Sequence, residues 1–483
     1  RRHRLTWLAA VLAVLASMPL LALPGTGRVA PATGDEPAGA VPIRVHEPYS
    51  WQAPVQTSPS GRAALLVSGD GSGFTSSEDI PWTYGSKIAS VGRDGSYRML
   101  RFGTQELRAG QDAILSPDGR YVLAQYSVED FLGLHYVTSG QQPEFAIADL
   151  VTGEIKRYQL PGGKHADGMA TPVAWSPSGG QVLILQEDAT ARYDYHPRWP
   201  VGTLVLYDPA TGRHRTLLEL TGGLEVGAPF AAFSPDGRTI AVQHGPSLVL
   251  IDTVTAERRN LADLGTRSEL AGRAAWTPDG RSIAVFTPLP ECSSNPCSQR
   301  NGVDGTIRLD LVDAGSGAVT TSTGFDRVTG KLARLAGWQR DGTAVVIRHV
   351  IQSYSHYLDE QANDIPNGVD LLALAPTGGT RHLFDGVQQS ATDVDLASDL
   401  IMAGAFGGPA PLPTRWPVAP WVYWTGAAPL VWAAIVGLLI MWGIRRSGRR
   451  PRGRPGQPKP ADQAHPSPTR DALETTRAGN GYA

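Results

Sequence analysis

Read as a string of apolar and polar positions, the chain repeats one phrase. At Ala231 to His244 (AAFSPDGRTIAVQH) a short apolar run ends in a bulky residue, a Ser-Pro-Asp-Gly turn follows, and apolar and polar residues then alternate. Close copies stand at Ala113 to Tyr126, Val173 to Gln186 and Ala274 to Thr287, and weaker ones at Gln56 to Ser68 and Ala336 to Val350. Pro presets φ at the first central turn position, Asp or Ser bonds nearby backbone, and Gly takes the positive φ of a bulged hairpin loop. Alternation over Arg238 to Val242 predicts a half-buried strand. Each phrase is therefore a β-hairpin, and turn chemistry accounts for its Asp without catalysis.

A second strand-turn-strand pattern follows each phrase, as in IADLVTGEIKRYQL from Ile147, VLYDPATGRHRTLLEL from Val205 and VLIDTVTAERRNLADL from Val249. Looser versions start at Ile88, Leu309 and Leu371. Two hairpins per repeat make a four-stranded unit. The turn positions Pro59, Pro117, Pro177, Pro235, Pro278 and Arg340 recur at steps of about 60 residues with one shorter step after Pro235, whereas a propeller blade needs about 40 to 50. The surplus implies loop insertions. The pattern predicts an all-β chain, a β-propeller of four-stranded blades over residues 41–406. The stretch Asp393 to Phe406 reads as half of a seventh blade, completed by a strand around Pro42 to His46, so seven blades are favoured over six.

The pairing of a Ser-Pro-Asp-Gly hairpin with an Asp-x-x-Thr-Gly-Glu hairpin resembles the WD40-like (PD40) repeat of the TolB-like propeller family, over roughly residues 50–406. The resemblance implies a binding platform and carries no catalytic set. Departures stand at Ser178-Gly179-Gly180 and at Gln339-Arg340-Asp341-Gly342. Propellers also accompany serine peptidases, but no G-x-S-x-G elbow is present, and no α/β-hydrolase domain fits.

If strands A to D run from the centre of a blade outward, the Pro-Asp-Gly turn joins A to B and the Thr-Gly turn joins C to D. The B-to-C connections then share the opposite face. Five are long (residues 69–85, 127–143, 187–201, 288–305 and 351–368), while the fourth blade has only His244-Gly245-Pro246. Loops gathered on a rigid scaffold are where binding usually resides. These carry recurring aromatic and acidic residues, of which Tyr136, Tyr195, Trp199, Tyr357, Glu129, Asp130, Glu187 and Asp188 are the candidate ligand-binding set. Rings offer broad apolar contact and carboxylates accept hydrogen bonds, a chemistry suited to a basic or carbohydrate-like partner. A glycosidase-like or lyase-like site would need carboxylates from separate blades brought together. No compact metal-ligand spacing occurs, and no catalytic residue, metal or cofactor is assigned.

The chain ends supply an address. Arg1, Arg2, His3 and Arg4 precede an apolar run from Leu5 to Leu23, so residues 1–27 read as a signal peptide or an N-terminal anchor. Its paired arginines resemble a twin-arginine signal; Leu23-Pro-Gly-Thr-Gly27 resembles a sortase motif but stands at the wrong end of the chain. Residues 28–40 read as a flexible tether and 407–420 as a Pro-rich stalk. Trp421 to Ile444 is free of charge and long enough to span about 30 Å, with Trp and Tyr at its ends. Six arginines from Arg445 to Arg454 place the tail 445–483 in the cytoplasm and the propeller outside. With 483 residues, 41% hydrophobic, and a net charge of −2, a large core is available and no nucleic-acid partner is implied. Cys292 and Cys297, the only cysteines, read as a disulfide in an exported protein. The expected activity is non-enzymatic: an envelope propeller binding a protein, peptide or glycan. An envelope hydrolase or lyase and a sensory ectodomain are the alternatives.

Overall fold

A computed structural model describes residues 39–49, 51–69, 88–101, 107–126, 143–160, 169–187, 201–221, 230–265, 268–289, 306–321, 324–329, 332–350, 368–385, 391–413 and, further on, 432–442 with 444–445. Contacts divide the chain into two units, residues 1–426 and 427–483. The first is a ring of antiparallel sheets.

After β1 (Val41–Pro42) come β2 (Ala63–Gly69), β3 (Ile88–Gly92) and β4 (Tyr97–Leu100) of blade one. Blade two holds β5 (Ala113–Leu115), β6 (Tyr121–Tyr126), β7 (Glu144–Asp149) and β8 (Ile155–Gln159). Blade three holds β9 (Ala170–Trp175), β10 (Val182–Glu187), β11 (Val201–Asp208) and β12 (Arg213–Thr221). In blade four are β13 (Ala231–Phe233), β14 (Thr239–His244), β15 (Ser247–Asp252) and β16 (Arg258–Asp263). Blade five has β17 (Glu269–Leu270), β18 (Ser282–Leu289), β19 (Thr306–Asp313) and β20 (Val319–Thr320), with β21 (Val328–Thr329) also pairing β19. Blade six has β22 (Leu332–Trp338), β23 (Ala344–Val350), β24 (Gly368–Leu374) and β25 (Thr380–Asp385). The chain then supplies β26 (Ala391–Leu396), α1 (Ser398–Met402) and β27 (Phe406–Gly408).

The hairpin grammar is realised as expected. In blade four, Ser234 Oγ donates to Asp236 Oδ1 at 2.6 Å, Arg238 N donates to the same oxygen at 3.0 Å, and Thr239 N donates to Ser234 Oγ at 2.9 Å. Gly237 takes φ +70°. The same bonds recur at Ser116 with Asp118 and at Thr277 with Asp279. These aspartates are turn residues.

The ring has six blades, which corrects the favoured seven. β26 is the innermost strand of blade one, pairing with β2 in the order β26-β2-β3-β4. The first Ser-Pro-Ser-Gly turn is preceded not by an apolar inner strand but by Gln52 to Val55, which runs along the outer edge of β4, where Val55 N donates to Met99 O at 2.9 Å. That leaves the inner position of blade one for a strand from the far end of the chain. Nor does the N-terminal strand complete a blade: β1 pairs with β27 as a separate parallel two-stranded sheet. Past Leu396 the expected turn and strand are replaced by α1.

Blades are joined through their inner strands. Trp175, Trp276 and Trp338 close the inner strands of blades three, five and six, and each indole N–H donates to a carbonyl in the inner strand of the preceding blade: Ile114 O at 3.3 Å, Ala232 O at 3.1 Å and Ala274 O at 3.0 Å. The rim is clamped by arginines, Arg215 reaching Thr253 O and Val254 O, and Arg259 reaching Ala314 O and Gly315 O.

Both described chain ends converge on the C-to-D turn of blade one. Tyr97 Oη accepts from His46 N at 3.0 Å and donates to Pro411 O at 3.1 Å. Burial pushes the Tyr97 phenol up to about 12, against the lowering effect of the His46 N–H. Arg93 in that turn donates to both Asp399 oxygens at 2.8 and 2.6 Å. The strap to Pro411 therefore leaves the ring on the turn face, opposite the B-to-C connections.

Closure by β26 makes Leu396, 4% exposed within the core, a ring-closing residue. Leu396→Ala is expected to destabilise the propeller by about 2–4 kcal/mol through lost transfer energy and a cavity, whereas Val254→Ala, at a 71% exposed turn position, stays within about 0.5 kcal/mol. Urea unfolding of both variants checks this.

Candidate functional site at the loop face

The second strand of each blade ends, and the third begins, on the face opposite the Pro-Asp-Gly turns. The five long B-to-C connections all arise there, as expected, and blade four is indeed short: β14 passes to β15 through a tight turn in which His244 pairs with Ser247. Tyr136, Tyr195, Trp199, Tyr357, Glu129, Asp130, Asp188, Cys292 and Cys297 lie outside the described residues. Glu187 is the one described member of the candidate set. It ends β10, and its Oε1 accepts from Thr171 Oγ1 on β9 at 2.6 Å.

Sequence reasoning missed what stands at the centre of this face. The inner strands begin here, and three blades bring charge to the mouth of the channel while a fourth brings neutral hydrogen-bonding groups. Arg334 of β22 donates through Nη1 to Asp393 Oδ2 of β26 at 2.6 Å and through Nη2 to Val394 O. Gln111, just before β5, donates to the same Asp393 oxygen at 3.2 Å. Two residues on, Asp395 Oδ2 accepts from Leu115 N at 2.7 Å and from Arg273 Nη1 at 3.0 Å. Arg273 belongs to blade five, and its Nη2 also reaches Gly110 O of blade two, directly across the ring. His349 Nε2, near the end of β23, lies 3.2 Å from Asp393 Oδ1, close enough to pair but off the hydrogen-bonding direction, so neither ring nitrogen has a hydrogen-bond partner.

Asp393 and Arg334 are 1% and 9% exposed at their side chains. Burial alone would raise the Asp393 pKa, but the Arg334 charge and then His349 outweigh it and hold the carboxyl well below the usual carboxylate range. Burial pulls Arg273 down from the usual guanidinium value; Asp395 opposes that shift and Arg334 adds to it. Positive and negative charges thus alternate and cancel around the mouth, so the cluster ties blades five, six, one and two together. Chemically it is a polar plug whose two carboxylates are paired, while Arg273 Nε and the His349 ring nitrogens are buried without hydrogen bonds. Among the described residues no group of three or more His, Cys, Asp or Glu is placed to hold a metal. One weak signal was available: Asp393-Val394-Asp395-Leu396 sets two carboxylates on one side of a strand at period two, a side that needs partners if buried.

Comparison with known proteins adds little beyond the architecture. No protein-family profile matches the chain, and no curated protein does. Among solved structures, TolB from Acinetobacter baumannii is similar at 17% identity and a TM-score of 0.32, covering 52% of this chain and 51% of that one. An oligogalacturonate lyase in complex with manganese is similar at 14% identity and a TM-score of 0.40, covering 71% and 78%. A prolyl endopeptidase structure is similar at 13% identity and a TM-score of 0.36, covering 70% and 43%. The chain thus spans about half the length of the TolB chain and less of the peptidase. TolB stands among these structures, as the repeat leads one to expect. Likenesses this distant, to TolB, a lyase and peptidases alike, carry no argument about activity.

The plug sets a pH dependence. Because the folded pKa of Asp393 is depressed, its contribution is complete above the unfolded carboxylate value near 4 and is lost as pH falls below it. Asp393→Asn leaves Arg334 buried without its counter-charge, which costs about 3–5 kcal/mol near neutral pH. The gap between the parent and this variant is expected to narrow steadily below about pH 4, measured by urea unfolding across a pH series.

Proposed function

We propose that this chain is a membrane-tethered propeller outside the cytoplasm that binds a protein, peptide or glycan through its B-to-C face, without chemistry of its own. The observation that carries this reading is topological. All five long connections, with the aromatic and acidic residues of the candidate set, issue from one face of a ring whose centre is filled by the Arg334–Asp393 and Arg273–Asp395 pairs. A plugged channel directs a partner to the surface of the face and the loops above it.

The tether in this reading is residues 421–444. No helix among the described residues is long and apolar enough to cross a membrane. Support comes from residues 432–442, which are helical and carry apolar side chains on every side. Leu438, Leu439, Ile440 and Trp442 are 56–62% exposed. A helix apolar all round has no water-facing stripe, which is the pattern of a lipid-exposed segment. The arginines that follow set the tail on the cytoplasmic side.

Replacing Tyr136, Tyr195, Trp199 and Tyr357 together by Ala is expected to abolish capture of envelope components by residues 40–410, while amides at Glu129, Asp130, Glu187 and Asp188 weaken it. Capture surviving the aromatic substitutions would remove the loop-face reading. An activity lost only with the amides would establish the hydrolase or lyase alternative. Cys292 and Cys297 close a disulfide in this scheme, so the unreduced protein is expected to resist alkylation at both, as checked by mass spectrometry.

A further inference from the structure

We propose that His349 is a proton-operated latch on the strand that closes the ring. It stands on β23, 6% exposed, and neither ring nitrogen has a hydrogen-bond partner. A buried imidazole in that state costs stability, since its polar atoms have given up water without replacement. Its Nε2 lies 3.2 Å from Oδ1 of Asp393 on β26. While the ring is neutral, that oxygen is left to the Val394 N–H, which donates to it at 2.8 Å. A proton taken from solvent makes the ring an imidazolium with a donor on both nitrogens, and a small turn then brings Nε2–H onto Oδ1 as a charge-assisted hydrogen bond.

The charged groups around the imidazole come from four blades. On its own strand, Arg348 is occupied by Asp370 of β24. Arg334 of β22 and Arg273 of blade five oppose a further positive charge, whereas Asp393 and Asp395 of β26 favour it. The turn before β5 brings the neutral Gln111, and beside it Asp112 accepts from the Arg108 backbone N–H. Two guanidinium groups and two carboxylates cancel in sum, so the group in contact decides the sign. That group is Asp393, which holds Arg334 on Oδ2 and presents Oδ1 to His349. The extra bond is therefore present when His349 carries a proton and is lost as pH rises through the range of about 5 to 8 in which imidazoles titrate. The closing strand is held harder in mild acid, a response separate from the protonation of Asp393 itself below about pH 4.

Hydrogen exchange of the full chain tests this, read by mass spectrometry on peptides covering β26 and β14 and corrected for the intrinsic effect of pH. Relative to β14 in blade four, β26 is expected to gain protection several-fold between about pH 8 and about pH 5.5, and the gain is expected to fall below about twofold in His349→Gln, which takes up no proton. No relative gain in the parent chain, or a relative loss, overturns the proposal whether or not the variant folds. An equal gain in His349→Gln with β14 still protected overturns it as well, because another group then carries the response. If β14 loses its protection in His349→Gln, His349→Asn is read in its place by the same criteria.

Discussion

A ring of sheets has one joint that connectivity does not make, and here it lies inside blade one, where β26 from the far end of the chain pairs with β2 and Asp393 of β26 reaches the blades on both sides. Its strand, β26, is hydrogen-bonded into blade one, while its carboxylate holds Arg334 of blade six and Gln111 of blade two. If β26 left, β2 would become an open inner edge, and the buried guanidinium of Arg334 would lose its partner. Both are unfavourable, the first because exposed strand edges pair promiscuously and the second because an unpaired buried charge is costly. Asp395 extends the grip to blade five through Arg273.

Three of the other joints use weaker parts. Indole N–H groups of Trp175, Trp276 and Trp338 each contribute a single hydrogen bond to the neighbouring inner strand, a net gain of about 1 kcal/mol apiece, beside the large apolar area of the ring itself. Beside the closing strand stands a charged network, where the joints of blades three, five and six have an indole. Arg93 with Asp399 and Tyr97 with Pro411 then secure the strap that follows β26. The closing strand is thus held on both sides of its length, and the scaffold beneath the loops is stiff.

Legibility followed the range of the interactions. The Ser-Pro-Asp-Gly and Thr-Gly turns are local devices, satisfied within a few residues, and they located the hairpins of blades two to six. Blade one was misread because its inner strand lies more than three hundred residues from its second strand, and an alternating stretch such as Asp393 to Leu396 does not state its partner. The same distance hid the plug. Arg273, Asp395 and the pair Arg334 and His349 stand in three different blades, ordinary in sequence and notable only as neighbours. The candidate ligand set was legible as composition and as a shared face, because strand direction fixes which connections emerge together. Which rings meet a partner depends on loop conformation, which no periodic pattern encodes.

The face that results is lopsided. The charged residues of the mouth come from blades five, six and one, with Gln111 of blade two joining them, whereas Val173, Phe230 and Ala231, at the inner strands of blades three and four, are apolar and packed into the core. Blade four is also the blade without a long connection, its second and third strands being joined by the tight turn at His244 to Ser247. Both guanidinium groups of the plug, Arg273 and Arg334, are already matched by a carboxylate, so the plug itself presents no unbalanced positive charge at the centre of the face.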